Sequence, residues 1–288
     1  MNEGIIIRPP SEANSILLQV TRGCSHNKCT FCGVYKNIPF AIKKTEDIIS
    51  DLKYASVNLK DRDKIFLCDG DALIIPQNEL LTIFNSIKNN LPWVTRIGTY
   101  ANAKCLARKT VQDLKELRRL GLRIIHLGLE SGDDITLRRI DKWGGSEKIV
   151  AQCKKVQEAD INLFITIMIG IAGTERSGIH AKRTGEILSI VNPNYVGALC
   201  FMPIENTPLN DEIRNGSFKI PVPEEQIKEL RTIIYNTNMT HGYFYANHAS
   251  NYLPLRIKFP HGKEDALALI DNALSGKIPF TPEWMRGL

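Results

Sequence analysis

The sequence lacks the segments that would place the chain in a membrane or in a secretory pathway. Its longest mainly apolar run, Leu163 to Ala172, is too short to span a bilayer. No basic stretch followed by an apolar core opens the chain. No Gly-x-Gly-x-x-Gly pattern follows any predicted strand, which removes the usual dinucleotide-binding interpretation. We therefore expect a cytoplasmic protein that does not use a nicotinamide dinucleotide.

Paired cysteines are also missing outside one short segment. Four of the seven cysteines are widely separated, and none of these forms a Cys-x-x-Cys pair: Cys68, Cys105, Cys153 and Cys200. A disulfide framework is therefore not expected. Cys68 and Cys200 fall at or near predicted strand ends, where an auxiliary cluster or a methyl- or sulfur-accepting role is one interpretation. Core packing is the favoured one, because unpaired cysteine is among the most buried residue types.

Long runs of like charge are absent as well. The 37 Lys and Arg residues exceed the 31 Asp and Glu residues by six, and the excess is spread along the chain. It favours an anionic partner only weakly, since a solvated basic surface also accounts for it. With 43% hydrophobic residues in 288, the chain has enough apolar material for a sizeable core.

Strand-like and helix-like segments alternate along most of the sequence. Short apolar strands are predicted at residues 15–20, 64–68, 96–100, 123–129, 162–169 and 195–201. Amphipathic helices are predicted at 44–57, 76–90, 111–120, 133–140, 147–159, 180–191, 223–238 and 263–274. Six strand-then-helix units imply a parallel sheet with right-handed crossovers. An open doubly wound sheet is the alternative to our prediction, an α/β partial (β/α)6 TIM-like barrel.

The predicted barrel divides the chain into three parts. Residues 1–15 form an N-terminal lead, 16–210 the partial barrel, and 211–288 a C-terminal extension of helix and loop. A six-stranded barrel is open at its mouth, so we expect the extension to cover that mouth and to enclose a substrate. The site of such a barrel lies at the C-terminal ends of its strands.

Three cysteines lie close together directly after the first predicted strand. Cys24, Cys29 and Cys32 are spaced C-x4-C-x2-C, which lets three thiolates converge on one point. A structural zinc site needs four ligands, and no second short-spaced pair follows. An iron-sulfur cluster is held by thiolates and can leave one iron open, which favours a [4Fe-4S] cluster. Zinc, with His26 as a fourth ligand, and thiols without any ligand remain alternatives.

This loop resembles the cluster loop of the radical S-adenosylmethionine (radical SAM) superfamily. Phe31 precedes the last cysteine and Gly33 follows it, although the commonest superfamily spacing is one residue shorter. The resemblance implies that the three cysteines hold three irons and that SAM chelates the fourth through its amino and carboxylate groups. An electron from a flavodoxin- or ferredoxin-type donor would then cleave SAM, and a 5′-deoxyadenosyl radical would abstract hydrogen from the substrate.

Other strand ends resemble those of the branch that includes anaerobic coproporphyrinogen oxidase and the tRNA methylthiotransferases. The sixth strand ends in a Pro-then-Thr-Pro-Leu pattern typical of that branch, at residues 203–209. The resemblance implies a set of residues near SAM: Phe31, Gly70, Asp71, Glu130, Ser131, Gly170, Gly173 and Glu175. Local roles are the alternatives: Asp69-Gly70 as an ordinary turn, Ser131 as a helix cap, and Glu175 as a first-turn residue that stabilises the helix dipole.

Substrate contacts are predicted from two further stretches. Arg176 and His180 follow the fifth strand closely enough to contact a carboxylate, and His248, Asn251 and Tyr252 lie in a polar, aromatic part of the extension. Pure packing is the alternative for the extension. We predict an enzyme acting on a small molecule. Modification of tRNA or of a peptide, and a metal protein without catalysis, are the less favoured alternatives.

Overall fold

A computed structural model describes residues 6–287, which form two compact units. The first unit contains the described residues up to Asn27 together with Val34–Leu127 and Gln152–Leu163. The second contains Lys28–Gly33, Gly128–Ala151 and the chain from Phe164 onward. The cysteine loop contributes residues to both units. The predicted N-terminal lead extends into residues 1–5, which lie outside the described part.

The first unit is built on parallel strands joined by helices. Its strands are β1 (Ile16–Gln19), β2 (Thr21–Arg22), β3 (Ala41–Ile42), β4 (Lys64–Cys68), β5 (Arg96–Ala101) and the first part of β6 (Leu122–Glu130). Its helices are α1 (Thr45–Asn58), α2 (Gln77–Asn90), α3 (Ala103–Leu106) and α4 (Val111–Arg119). Strands β1, β4, β5 and β6 pair in parallel in this order, whereas β2 and β3 form a small antiparallel pair. Parallel neighbours need crossover connections, which the helices supply.

The second unit repeats this pattern and then leaves it. It contains α5 (Asp134–Arg139), most of β7 (Asn162–Ile169), α7 (Gly173–Val191), β8 (Tyr195–Cys200), α8 (Pro208–Arg214), α9 (Pro223–Asn236), β9 (Tyr243–Tyr245), β10 (Arg256–Lys258) and α10 (Lys263–Leu274). Helix α6 (Gly145–Glu158) begins here and ends in the first unit. Strands β7, β8 and β9 are parallel, and β10 is antiparallel to β9.

Helices α7 and α9 pack closely along one another in the second unit. A Cβ added at Gly185 of α7 would lie 2.6 Å from the backbone oxygen of Ile233 in α9. Such a distance leaves room only for glycine. Gly132, after β6, approaches the backbone of Arg183 just as closely. The two glycines therefore let α7 contact the β6 turn and α9.

Most predicted elements are confirmed within one or two residues, and three differences stand out. The helix predicted to begin at His180 begins at Gly173, so its predicted start is wrong by seven residues. Strands β9 and β10 lie in the region predicted to be loop-rich. Helix α8 follows the Thr207-Pro208 pattern directly, with proline at its first position. Among residues 6–287, no helix is both long and apolar enough to cross a membrane.

Candidate functional site

In the first unit, Cys24 lies against the glycine that follows β4. A Cβ added at Gly70 would lie 3.3 Å from the Cβ of Cys24 and 2.9 Å from Tyr35 Cε2. A side chain at position 70 would therefore displace the first cysteine or the Tyr35 ring. The predicted Asp69-Gly70-Asp71 turn thus lies directly beside the first cysteine of the loop.

The two carboxylates beside Gly70 have different surroundings. Asp71 is buried, and its Oδ2 accepts hydrogen bonds from the Ser25 hydroxyl and, at 2.9 Å, from Asn102 Nδ2. Asp69 Oδ2 accepts from Gln19 Nε2 at 3.1 Å and from the Gly23 backbone N–H at 3.3 Å. Asp69 Oδ1 is buried and has no donor in the described part of the chain. A buried carboxylate oxygen that no protein donor reaches is suited to accept a hydrogen bond from the ammonium group of a ligand.

Burial changes the acidity of the groups around Gly70. It raises the pKa of Asp69 and of Asp71 despite the hydrogen bonds that each carboxylate accepts. It also raises the pKa of Tyr35, and the charges of Asp69 and Cys24 add to the effect. Tyr35 therefore stays a neutral phenol, with its ring next to Gly70 on the side where Cys24 lies.

In the second unit, the other half of the cysteine loop is held by backbone hydrogen bonds. The Thr30 N–H donates to the Ile140 carbonyl at 3.0 Å, and the Leu209 N–H donates to the Thr30 carbonyl at 3.0 Å. The Cys32 N–H donates to the Cys29 carbonyl at 3.3 Å, closing a turn with half-buried Phe31 inside it. The Thr-Pro-Leu pattern after β8 therefore anchors the loop between its second and third cysteines.

The end of β6 carries a buried ion pair and a turn. Glu130 has a backbone φ of +62° and accepts a hydrogen bond from Lys142 Nζ at 2.8 Å. Ser131 is fully buried; its Oγ accepts from the Asp133 N–H at 3.0 Å and lies 2.7 Å from His180 Nδ1. Both predicted residues therefore have protein partners, and Ser131 shapes the turn before α5.

Asp133 caps α5 and pairs with Arg176. Its Oδ2 accepts from the Thr136 N–H at 3.1 Å, and Arg176 donates to both of its oxygens at 2.8 and 2.9 Å. Burial alone would raise the pKa of Asp133, but the Arg176 and Thr136 hydrogen bonds outweigh it and hold the pKa well below its usual range. The guanidinium predicted to contact a substrate carboxylate thus already contacts a carboxylate of the chain.

Two glycines with positive φ angles turn the chain from β7 into α7. Gly170 has φ +82° and Gly173 has φ +67°, a region that favours glycine. Glu175 is exposed in the first turn of α7, where its charge suits the helix dipole. His180 is fully buried one turn later. The sequence pattern located the turn correctly, while His180 lies inside the unit.

The three predicted residues of the extension are bonded to the chain itself. His248 Nδ1 lies 2.9 Å from Ser250 Oγ, and burial lowers the pKa of this histidine. Asn251 Nδ2 donates to the Ala198 carbonyl at 2.8 Å, while its buried Oδ1 has no donor among the described residues. Tyr252 donates to Glu283 at 2.8 Å, and the Arg286 guanidinium stacks on its ring. Burial and Glu283 raise the Tyr252 pKa to about 12.

None of the seven cysteines forms a disulfide. The three loop cysteines are half-buried, and the other four are buried, as expected for core packing. Among residues 6–287, no three His, Cys, Asp or Glu side chains lie close enough together to hold a metal ion. Their spacing is therefore what makes the loop thiols candidate cluster ligands.

Several interacting residues were not singled out from the sequence. Ser25, Tyr35 and Asn102 contact the turn at Gly70, and no motif marked them. Glu229 and Gln226 are buried on the same face of α9 as Leu230 and Ile233. Polar residues within the apolar stripe of a helix are a signal that the sequence offered.

Comparison with known proteins places this geometry in a family. The model of the Radical SAM superfamily matches residues 18–179, more than half of the chain. No curated protein sequence matches this chain. The fold is similar to that of coproporphyrinogen III oxidase (HemN) from Escherichia coli, with TM-score 0.55, 15% identity, and coverage of 79% of this chain and 53% of that one.

Two further solved structures show the same fold. Methylornithine synthase (PylB) has TM-score 0.54 and 17% identity, over 77% of this chain and 63% of that one. The radical SAM methyltransferase TsrM from Kitasatospora setae has TM-score 0.57 and 12% identity, over 70% of this chain and 39% of that one. The chain therefore spans between 39% and 63% of the length of these three structures.

These likenesses confirm the predicted α/β class and the open, partial TIM-like barrel. The family uses a [4Fe-4S] cluster and SAM, and the matched residues include the C-x4-C-x2-C loop. The match rests on the same stretch from which the sequence predicted the cluster. The chain belongs to the radical SAM superfamily.

Proposed function

We propose that this protein is an enzyme that cleaves SAM reductively at a [4Fe-4S] cluster and acts on a small-molecule substrate. Cys24, Cys29 and Cys32 would hold the cluster. The observation that carries the proposal is the family match across the cysteine loop, together with the approach of Gly70 to Cys24. The cluster, once reduced by an external one-electron donor, supplies the radical chemistry when SAM is bound.

The chemistry of the residues present suits such a ligand, and this support comes from the donor set and not from thiols already gathered around one point. Three thiols with no disulfide lie in one loop, which is the donor set that an iron-sulfur cluster requires. The buried Oδ1 of Asp69, the residue before Gly70, has no donor within the described residues, and a SAM ammonium would supply one. Ser25 and Asn102 hold Asp71, so this carboxylate stabilises the loop next to the first cysteine rather than pointing freely outward.

A small molecule is favoured as the substrate over a macromolecule. The names of the similar structures include coproporphyrinogen III and a bound tryptophan. Among residues 6–287, no donor reaches the buried Asn251 Oδ1, and a polar substrate of modest size would supply one. The net charge of +6 is the sole sequence feature in favour of RNA.

The proposal is tested by anaerobic reconstitution. The protein is expected to bind about four irons and four sulfides per chain, and to form 5′-deoxyadenosine when dithionite and SAM are added. Alanine at Cys24, Cys29 or Cys32 should abolish this product. Alanine at buried Cys153 is the matched control and should leave it. Zinc at full occupancy in protein never exposed to oxygen, with no 5′-deoxyadenosine, would refute the proposed function.

A further inference from the structure

A buried carboxylate from α9 reaches the end of β7. Glu229 is 2% exposed, and its Oε1 accepts the Gly170 backbone N–H at 2.6 Å. Its Oε2 accepts a hydrogen bond from the Ser177 hydroxyl of α7. Residue 229 lies beyond the stretch that the family model matches, which ends at residue 179. This chain therefore supports its fifth-strand turn from an element outside the matched region.

His180 connects the same carboxylate to the end of β6. Its Nε2 lies 3.2 Å from Glu229 Oε1, an electrostatic contact rather than an aligned hydrogen bond. Ser131 Oγ accepts the Asp133 N–H, so its own proton is available for His180 Nδ1 at 2.7 Å. Donation to Nδ1 leaves the imidazole proton on Nε2, where it faces Glu229. The buried His180 ring thus contacts Ser131 through Nδ1 and Glu229 through Nε2.

A second buried group beside Gly170 points to a ligand. Gln226, one turn before Glu229 in α9, is 3% exposed, and its Nε2 donates to the Pro221 carbonyl at 2.8 Å. Its Oε1 has no donor in the described chain and lies 3.6 Å from where a Gly170 side chain would begin. A buried acceptor is costly when it is unpaired. A donor from a molecule bound against Gly170 would remove that cost.

We propose that Glu229 is a positioning residue for SAM, fixing the Gly170 turn directly and the Ser131 turn through His180. The inference rests on the proposed function, because it assumes that SAM lies at these strand ends. A carboxylate buried this deeply destabilises a fold unless it is well paired. Its three partners are the Gly170 N–H of the turn after β7 and the Ser177 and His180 side chains of α7, the helix that begins at that turn.

The test compares variants of one helix in the reconstituted holoprotein. Glu229→Ala should weaken SAM binding about tenfold or more, because the Gly170 N–H loses its buried acceptor. Glu229→Gln keeps an oxygen for that N–H and should bind within about threefold of wild type. Glu225→Ala is the matched control: Glu225 is exposed and accepts the Val222 N–H at the start of α9, so its loss lowers the melting temperature without changing SAM affinity.

Amide hydrogen exchange at Gly170 supplies a readout that does not need SAM. Glu229→Ala should speed exchange at Gly170 and leave the interior of β7 unchanged. If Glu229→Ala does not fold, Ser177→Ala removes a single donor to the carboxylate and should weaken SAM binding about two- to fivefold. SAM affinity within twofold of wild type in Glu229→Ala, or in Ser177→Ala where that is the folded variant, overturns the inference. A loss of SAM affinity in Glu225→Ala equal to that in Glu229→Ala also overturns the inference.

Different results would refute the proposed function and the positioning role of Glu229. Wild-type protein that holds no cluster and binds no SAM would refute the proposed function, while Gly170 exchange would still report whether Glu229 fixes the turn. Wild-type protein that binds SAM, with an affinity that Glu229→Ala leaves unchanged, would refute the positioning role alone.

Discussion

His126 is the residue whose burial most affects the response to acid. Its ring packs edge-on against Phe66 and Tyr100, with centroids 5.7 and 5.8 Å away. Burial, with a smaller contribution from Arg96, lowers its pKa to about 3. The unfolded chain takes up this proton near pH 6.5. Between those two values the unfolded state binds more protons, so the free energy of unfolding falls as the pH falls.

We therefore expect the free energy of unfolding to drop by about 2 kcal/mol between pH 6.5 and pH 5 because of His126. Urea unfolding at the two pH values measures this. His126→Phe keeps an aromatic ring in the cluster and should remove that part of the pH dependence, whereas His261→Gln, at an exposed position, should not. Equal pH dependence in wild type and His126→Phe would contradict the assignment.

Glu130 is a second residue with a measurable role. It is 7% exposed and its Oε1 accepts from Lys142 Nζ at 2.8 Å, so removing it takes a buried carboxylate from the end of β6. Glu130→Ala should weaken SAM binding by roughly 1–3 kcal/mol while the iron content stays constant. Calorimetric titration of reconstituted protein gives the value. A SAM affinity within a factor of two of wild type would place Glu130 outside the pocket.

At the scale of elements, Gly178 and Gly185 of helix α7 differ in the space around them. A Cβ at Gly178 would meet nothing within 4 Å, whereas one at Gly185 would collide with α9. Gly178→Ala should raise the free energy of unfolding by about 0.5–1 kcal/mol, because alanine loses less backbone entropy in a helix. Gly185→Ala should lower it by about 1–3 kcal/mol through overpacking. Thermal unfolding of both variants tests the pair, and effects of the same sign would contradict the packing described.

The predicted elements differ from the observed ones where local patterns are weak. The observed bounds of strand β7 match the predicted ones, because six of its eight residues are apolar and most of these are β-branched or aromatic. The start of α7 was missed because Gly173 and Gly178 look like helix breakers, although the helix is stabilised by packing on α9. Strands β9 and β10 have three residues each and depend on pairing with β8 and with one another. Such pairing cannot be deduced from short segments alone.

In the candidate site, too, residues within a local sequence pattern were predicted and residues brought together by packing were not. Cysteine spacing predicted the cluster loop, because candidate ligands close in sequence leave a local pattern, and the three ligands stay a prediction. Glu229 and Asn102 reach their partners from distant parts of the chain, so their roles follow from packing that no local pattern records. Asp71 was predicted beside SAM, and its hydrogen bonds to Ser25 and Asn102 show that it also has partners within the chain.

At the scale of the whole molecule, the charge distribution bears on the choice of substrate class. The net charge of +6 is scattered rather than grouped in runs. Binding of bulk tRNA should therefore be weak, detectable at low salt and lost by about 150 mM, as for non-specific contacts with phosphates. Fluorescence anisotropy with labelled tRNA over a salt series measures it. Tight binding that persists at that salt concentration would instead favour an RNA substrate.

The backbone hydrogen bond between Leu209 and Thr30 also has a consequence for biosynthesis. The segment that carries Cys29 and Cys32 leaves the ribosome early, but its partner at residue 209 emerges much later. At typical translation rates the delay is on the order of ten to forty seconds. The nascent loop lacks both anchoring bonds until residue 140 has emerged and the Leu209 bond until residue 209 has, so its thiols are open to oxidants and to stray metals in the meantime. If these thiols hold the proposed cluster, its insertion into a fully anchored loop is a late event, after most of the chain has been made.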